Sequence, residues 1–169
     1  GTINSTRLDG ELLYQIISQR PDYSFVFTGP EDDIFRRNRI HSLKNAYFTG
    51  QKKVDELPAY IAAYDVCINP QMVNEITDGN YPLKIDEYLA MGKPTVATST
   101  HTMRNIFAGH THLAINPEEW LAAIDRAVTE ADDKELAKQR IAFAETHSWG
   151  HSVKKIYEII DSFLKKKTT

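Results

Sequence analysis

Short β-rich runs alternate with stretches of helical period along most of this chain, and that alternation narrows the folds open to it more than any other feature. Leu12, Leu13, Ile16 and Ile17 form an apolar stripe at helical spacing, with Asp9 placed to cap it and Pro21 to close it. Tyr23 to Thr28 is a β-rich run that ends at the turn signal Gly29-Pro30. Residues 34–43 predict a short arginine-rich helix, and Ala46-Tyr47-Phe48 a strand ending at Gly50. Val54, Leu57, Ile61 and Tyr64 predict another helix, followed by a strand from Val66 to Asn69. An irregular polar segment from Pro70 to Asn80 leads to a helix from about Pro82 to Met91, stopped by Gly92. Pro94 to Thr98 reads as a strand, Met103 to Phe107 as a short helix and His112 to Ile115 as a strand. From Glu118 onward the pattern is helical, broken near Asp132 and around Trp149-Gly150.

Strand–helix units with short connections imply a parallel sheet covered on both faces, and right-handed crossovers make it doubly wound. The expected fold is therefore α/β: a Rossmann-like, doubly wound parallel sheet with helices on both faces and a helical C-terminus. In such folds ligands sit beyond the carboxyl ends of the strands. Gly29, Gly50 and the loop from Asn69 through Tyr81 fall there.

A length of 169 residues fits one domain, taken as residues 1–169. Gly1-Thr2-Ile3 resembles the end of a strand running into a loop, so the chain is expected to be a fragment of a longer protein, without its first strand. The formal net charge of −3 gives no sign of a nucleic-acid partner. Lys165-Lys166-Lys167 reads as the solvated end of an amphipathic helix, with a peripheral membrane contact as the alternative. The single Cys67 lies in the apolar run Asp65-Val66-Cys67-Ile68, which suggests a buried strand thiol in a reducing compartment, hence a cytoplasmic setting. No apolar stretch approaches the roughly 20 residues of a membrane span.

The chemistry concentrates between Asn74 and Thr98. A loop containing Gly79 opens a helix whose N-terminus faces the ligand end of the sheet, where free N–H groups and the helix dipole favour a diphosphate. Lys84 lies in the first turn, an unfavourable place for a cation unless it meets phosphate oxygens or pairs with Glu87. Lys84 and Glu87 share a helix face and Asp86 points elsewhere. A carboxylate at Glu87 can accept hydrogen bonds from both hydroxyls of a ribose. A plain surface salt bridge explains the same spacing about as well.

The run from Tyr81 to Thr98, with Glu87, Ala90, Gly92, Pro94, Val96 and Ala97 in order, resembles the signature of family-4-type retaining glycosyltransferases of GT-B fold. It is especially similar to the bacterial, polysaccharide-building branch, which carries Pro-Leu-Lys-x-x-Glu-Tyr-Leu-Ala-x-Gly-Lys-Pro. Phe25 to Gly29, Asn45 to Gly50, Leu57 to Tyr60, Asp65 to Pro70 and His147-Ser148-Trp149 follow the family's order, so the resemblance spans nearly the whole chain. It implies the C-terminal, donor-binding half of a two-domain enzyme, with the acceptor-binding domain lying N-terminal to it. It implies a nucleotide diphosphate sugar as donor and needs no metal or other cofactor. Glu87 matches the glutamate that holds the donor ribose. Gly79, Asn80 and Tyr81 would offer backbone N–H groups to the diphosphate, and Thr49, Gly50 and Val54 would frame the base, with Gly29 nearby.

Two positions depart from that pattern. The first glutamate of the family's pair falls on Gly79, with Asp78 or Glu75 as substitutes. Of the basic pair usual after the first strand, only Arg7 has a counterpart, and Lys84 is the candidate for the missing charge. No catalytic residue is assigned.

The six histidines read as loop, surface or capping residues, among them His41, His147 and His151; Ser99 lacks a hydrolase elbow; Glu31-Asp32-Asp33 is a helix-start cap. Trp149, Ile156, Ile159, Ile160 and Phe163 are expected in the core, or exposed if a partner domain covers them. The rival functions are a nucleotide-binding or interaction domain without transfer, and a relative of sugar-nucleotide epimerases or phosphorylases.

Overall fold

A computed structural model describes residues 1–167. In chain order the elements are α1 (Gly10–Gln19), β1 (Phe25–Thr28), β2 (Ala46–Gly50), α2 (Leu57–Ala63), β3 (Cys67–Asn69), α3 (Glu75–Asp78), α4 (Leu83–Ala90), β4 (Thr95–Thr98), β5 (His112–Ala114), α5 (Pro117–Thr129), α6 (Lys134–Glu145) and α7 (Trp149–Lys167). The ends follow local chemistry. Asp9 accepts the Leu12 N–H and starts α1; Asn116 and Asp133 play the same part for α5 and α6. Gly92 closes α4 at φ 71°, the left-handed geometry that glycine adopts without strain.

Among the described residues every strand pairing is parallel: β1 with β2, β3 with β4, and β4 with β5. The side-chain alternation of β4 and β5 divides the interior. Val96 and Ala114 face one core with Leu13 and Ile16 of α1 and Trp120 and Ile124 of α5. Ala97 and Leu113 face a second core with Ile85 and Leu89 of α4, Met103, Phe107 and Ala144 of α6. Helices therefore cover both faces, and the α/β architecture read from the sequence is present.

Several details differ from the sequence reading. The pairing comprises two parallel sheets, β1-β2 and β3-β4-β5, rather than one continuous sheet. Residues 34–43 hold two separate tight turns, Phe35–Arg37 and Arg39–Ser42, because Asn38 leaves helical geometry and caps the second. The segment before α4 is not wholly irregular, since α3 forms there. Val54 is exposed in a 3-10 turn, so the stripe attributed to it begins only at α2. Gly150 lies inside α7, and the break between α6 and α7 spans residues 146–148, just before Trp149. Trp149 is 83% exposed, and Ile156, Ile159, Ile160 and Phe163 are exposed with it, which overturns their expected place in the core. No helix among the described residues is long and apolar enough to cross a membrane. The lysine tail ends at the limit of description: the side chains of Lys166 and Lys167 lie outside the described residues.

Candidate functional site

The carboxyl ends of β1, β2 and β3 meet the start of α4. The loop after Ile3 crosses this end and is pinned there: Leu8 bridges Gln71, the Asp9 N–H donates to the Pro70 carbonyl at 3.2 Å, and the Met72 N–H donates to the Arg7 carbonyl at 2.8 Å. Arg7 is thereby held near enough to α4 for its charge to act on Lys84. Burial holds the Lys84 ammonium below the usual lysine range, the Arg7 charge lowers it further, and Glu87 acts in the opposite sense. Arg7, Lys84 and Glu87 thus share one electrostatic neighbourhood, although 80 positions separate the first from the last. A Cβ placed on Gly1 would lie 3.5 Å from Lys84 Nζ, so the same cluster borders the first residue.

Asp86 points the other way, as its position on the helix requires. It accepts hydrogen bonds from Tyr81 Oη at 2.6 Å and His147 Nδ1 at 2.9 Å. Burial first, and then the Asp86 carboxylate, raise the Tyr81 hydroxyl above the ordinary tyrosine range and keep it protonated. His147 packs edge-on against Phe143 and Phe107 and is half-buried, not a surface residue as read from the sequence. Its partner lies 61 positions away, beyond the reach of any local spacing rule.

Pro82 occupies the cap position of α4 without a side-chain cap, rather than the first turn. The Leu83 and Lys84 N–H groups precede the first intrahelical bond, at the positive end of the helix. The Asn80 N–H donates to the Thr77 carbonyl at 3.3 Å, so in this conformation that donor serves a turn. Gly79 is exposed, and a Cβ there would meet no atom of the described residues within 4 Å, so packing against them does not demand glycine. Asp78, the last residue of α3, accepts the His101 N–H at 2.7 Å and so joins α3 to the segment after β4. Glu75 is exposed.

Thr49 Oγ1 donates to Thr28 Oγ1 at 3.1 Å, and Thr28 Oγ1 lies 2.5 Å from Tyr64 Oη. This hydroxyl cluster at the ends of β1 and β2 escaped the sequence reading, because Tyr64 looked like one more apolar position of a helical stripe. The Gly29 N–H donates to the Gly50 carbonyl at 3.1 Å. Gly29 has φ 145°, and a Cβ there would lie 1.6 Å from the Gly1 carbonyl oxygen, so only glycine fits. A cavity of about 790 Å³ opens from this end between β1 and β3, lined by Lys84 and Glu87 at its polar mouth. Arg7, Gly29, Thr49, Gly50, Val54 and the Gly79-Asn80-Tyr81 loop lie outside its lining.

A parallel α/β layer with two cations and a carboxylate gathered at the carboxyl ends of its strands is a setting for an anionic ligand bearing hydroxyls. The chain belongs to the family described as Glycosyl transferases group 1, which matches residues 11–130. It is 28% identical over 149 residues to the protein described as "Putative teichuronic acid biosynthesis glycosyltransferase TuaH" of Bacillus subtilis (strain 168), a match covering 85% of this chain and 37% of that protein. Among solved structures it is similar to sucrose-phosphate synthase from Thermosynechococcus elongatus, with TM-score 0.70 and 16% identity over 98% of this chain and 45% of that one. It is also similar to the Anabaena protein HepE in complex with UDP and glucose, with TM-score 0.61 and 18% identity over 95% of this chain and 48% of that one. The chain spans little more than a third of the Bacillus protein and just under half of either solved structure.

Proposed function

We propose that this chain is the donor-binding half of a two-domain glycosyltransferase that carries a sugar from a nucleotide diphosphate to an acceptor with retention at the anomeric carbon. The observation that carries the reading is that Lys84, in the first turn of α4, and Glu87, one turn further on, line one cavity and that the charges of Arg7 and Glu87 both act on Lys84. On this reading, Arg7 and Lys84 take the diphosphate together with the free N–H groups of α4, and Glu87 takes the ribose hydroxyls. The chemical contribution of this half is stabilisation of the charge that develops on the departing diphosphate, without a metal. The acceptor belongs to an N-terminal domain, as the coverage of the relatives suggests. A cytoplasmic setting, with the acceptor at a membrane surface, suits the buried free thiol and a polysaccharide-building role.

The experiment is calorimetric titration of the full-length protein with UDP, GDP and ADP and their sugars. One nucleotide should bind selectively, with affinity reduced about ten- to a hundredfold by Glu87→Ala and by Lys84→Ala. Equal affinity in wild type and both variants would sink the assignment of these residues. A second reading, nucleotide binding without transfer, draws on Gly79 at the place of the family's first glutamate and on the engagement of Asp78 with His101. Donor turnover to free nucleotide and glycosylated acceptor separates the two.

A further inference from the structure

Three side chains without a part in the donor site meet on the side of α4 away from Glu87. Tyr81 ends the loop that opens the helix, directly before Pro82, and Asp86 lies in the first turn. The Tyr81 side chain folds back across that opening, and its hydroxyl donates to Asp86 Oδ2 at 2.6 Å. His147, in the break between α6 and α7, donates from Nδ1 to the other carboxylate oxygen at 2.9 Å. One carboxylate therefore ties the loop, the helix and the segment after α6 together.

Ring packing fixes the direction of both bonds. Tyr81 lies tilted against Phe107 with 5.4 Å between centroids, and His147 meets Phe107 and Phe143 edge-on at 5.7 and 4.5 Å. Phe107 is fully buried in the second core, so both rings lean on a fixed wall. The Asp86 carboxylate and the His147 ring are largely shielded from water, where bonds to an ionised acceptor are stronger than neutral ones. What this clasp holds is backbone. Upstream, the Asn80 N–H is tied to the Thr77 carbonyl and Asp78 to the His101 N–H; downstream, the Ile85 N–H donates to the Pro82 carbonyl at 2.8 Å. Between those anchors the N–H groups of Tyr81, Leu83 and Lys84 donate to no group among the described residues. Three open donors within four residues, at the positive end of a helix, suit phosphate oxygens only if their directions are set beforehand.

We propose that Asp86 and His147 are positioning residues for the nucleotide diphosphate: by holding the Tyr81 side chain they fix the N–H groups of Tyr81, Leu83 and Lys84 in the arrangement that receives the phosphate oxygens. Their role rests on the donor-site reading, which supplies the ligand. Both act through Tyr81 and neither touches the diphosphate. Asp86 is itself an anion in the first turn of α4, and the two donors that hold it on the other face also offset its repulsion of a phosphate.

The test uses the full-length protein and calorimetry with whichever of UDP, GDP and ADP binds it most tightly. Tyr81→Phe removes one oxygen and should weaken binding about three- to tenfold, and Asp86→Ala at least as much. In the double variant the two losses should not add, because both break the same bond. His147→Asn, whose amide replaces the Nδ1 donor, should keep most of the affinity that His147→Ala loses. Without nucleotide, amide hydrogen exchange across residues 79–84 should quicken in Tyr81→Phe while that of β4 stays as in wild type. Binding by wild type that is unchanged in Tyr81→Phe and Asp86→Ala overturns the positioning role and leaves the donor site standing. Fully additive losses overturn the path through Asp86, and equal losses in the two His147 variants overturn the part given to His147. Failure of wild type to bind any of the three nucleotides overturns the donor-site reading and this role together.

Discussion

Lys84 is where a single side chain decides most. Its pKa is lowered in the folded protein, so below that pKa both states hold the proton, while above it the unfolded chain holds more protons. Its contribution to stability should therefore rise with pH through the window between its lowered pKa and the ordinary value of 10.5, and Lys84→Met should flatten that rise in urea denaturation followed across alkaline pH. A bound diphosphate acts the other way, by raising the pKa. Affinity for a nucleotide sugar should be constant below the pKa of the free protein and fall as pH rises through it, and Lys84→Arg should remove the fall. Gly92 is a second residue with one permitted identity. Its φ is 71°, which strains any residue with a Cβ, and a Cβ there would stand 3.1 Å from the Ala137 Cβ, a tight contact that the neighbour must yield to by a few tenths of an ångström. Gly92→Ala should therefore cost about 1–2 kcal/mol in chemical denaturation. Cys67 gives a third check. Burial pushes its thiol up to about 12, so alkylation at neutral pH should be negligible until the protein unfolds.

At the scale of elements, α4 is held between two different commitments. One face carries Lys84 and Glu87 toward the strand ends; the other carries Ile85 and Leu89 into the second core and Asp86 toward His147. Asp86→Ala removes the partner of both Tyr81 and His147, and the expected cost is about 1–2 kcal/mol, read from the denaturation midpoint. The division of α4 was legible from its spacing, since residues three apart share a face and the intervening ones do not. The partners of its two faces were not, because those of Lys84 come from the start of the chain and those of Ile85, Leu89 and Asp86 from β4, the Met103–Phe107 turn, the end of α6 and His147. The same limit applies to Arg140, which local spacing does not set apart from the exposed Lys134 and Lys138 of the same helix. It is 5% exposed, ion-paired with Glu130, and within 3.4 Å of the Gly92 carbonyl that ends α4. The caps of α1, α5 and α6, by contrast, are local chemistry, and Asp9 was identifiable from the sequence for that reason.

Across the whole molecule, the C-terminal helix and β4 stand at opposite extremes. α7 leaves Trp149, Ile156, Ile159 and Phe163 exposed, so Trp149→Ser should change the stability of the 169-residue chain by less than about 0.5 kcal/mol while reducing its self-association in light scattering. The helical period of this stripe was plain in the sequence; whether anything within the chain covers it depends on packing that no periodicity records. β4 has no such freedom. All four of its residues are buried, and successive side chains serve different cores. Loops among relatives can gain or lose residues at small cost, but here an insertion or deletion of one position would turn the strand over. Val96 and Ala97 would then trade chambers, and each chamber would receive a side chain of the wrong volume at once. Length variation in descendants of this sequence should accumulate in the turns on either side and stop at Thr95 and Thr98, a boundary that a scan of single-residue deletions would draw directly.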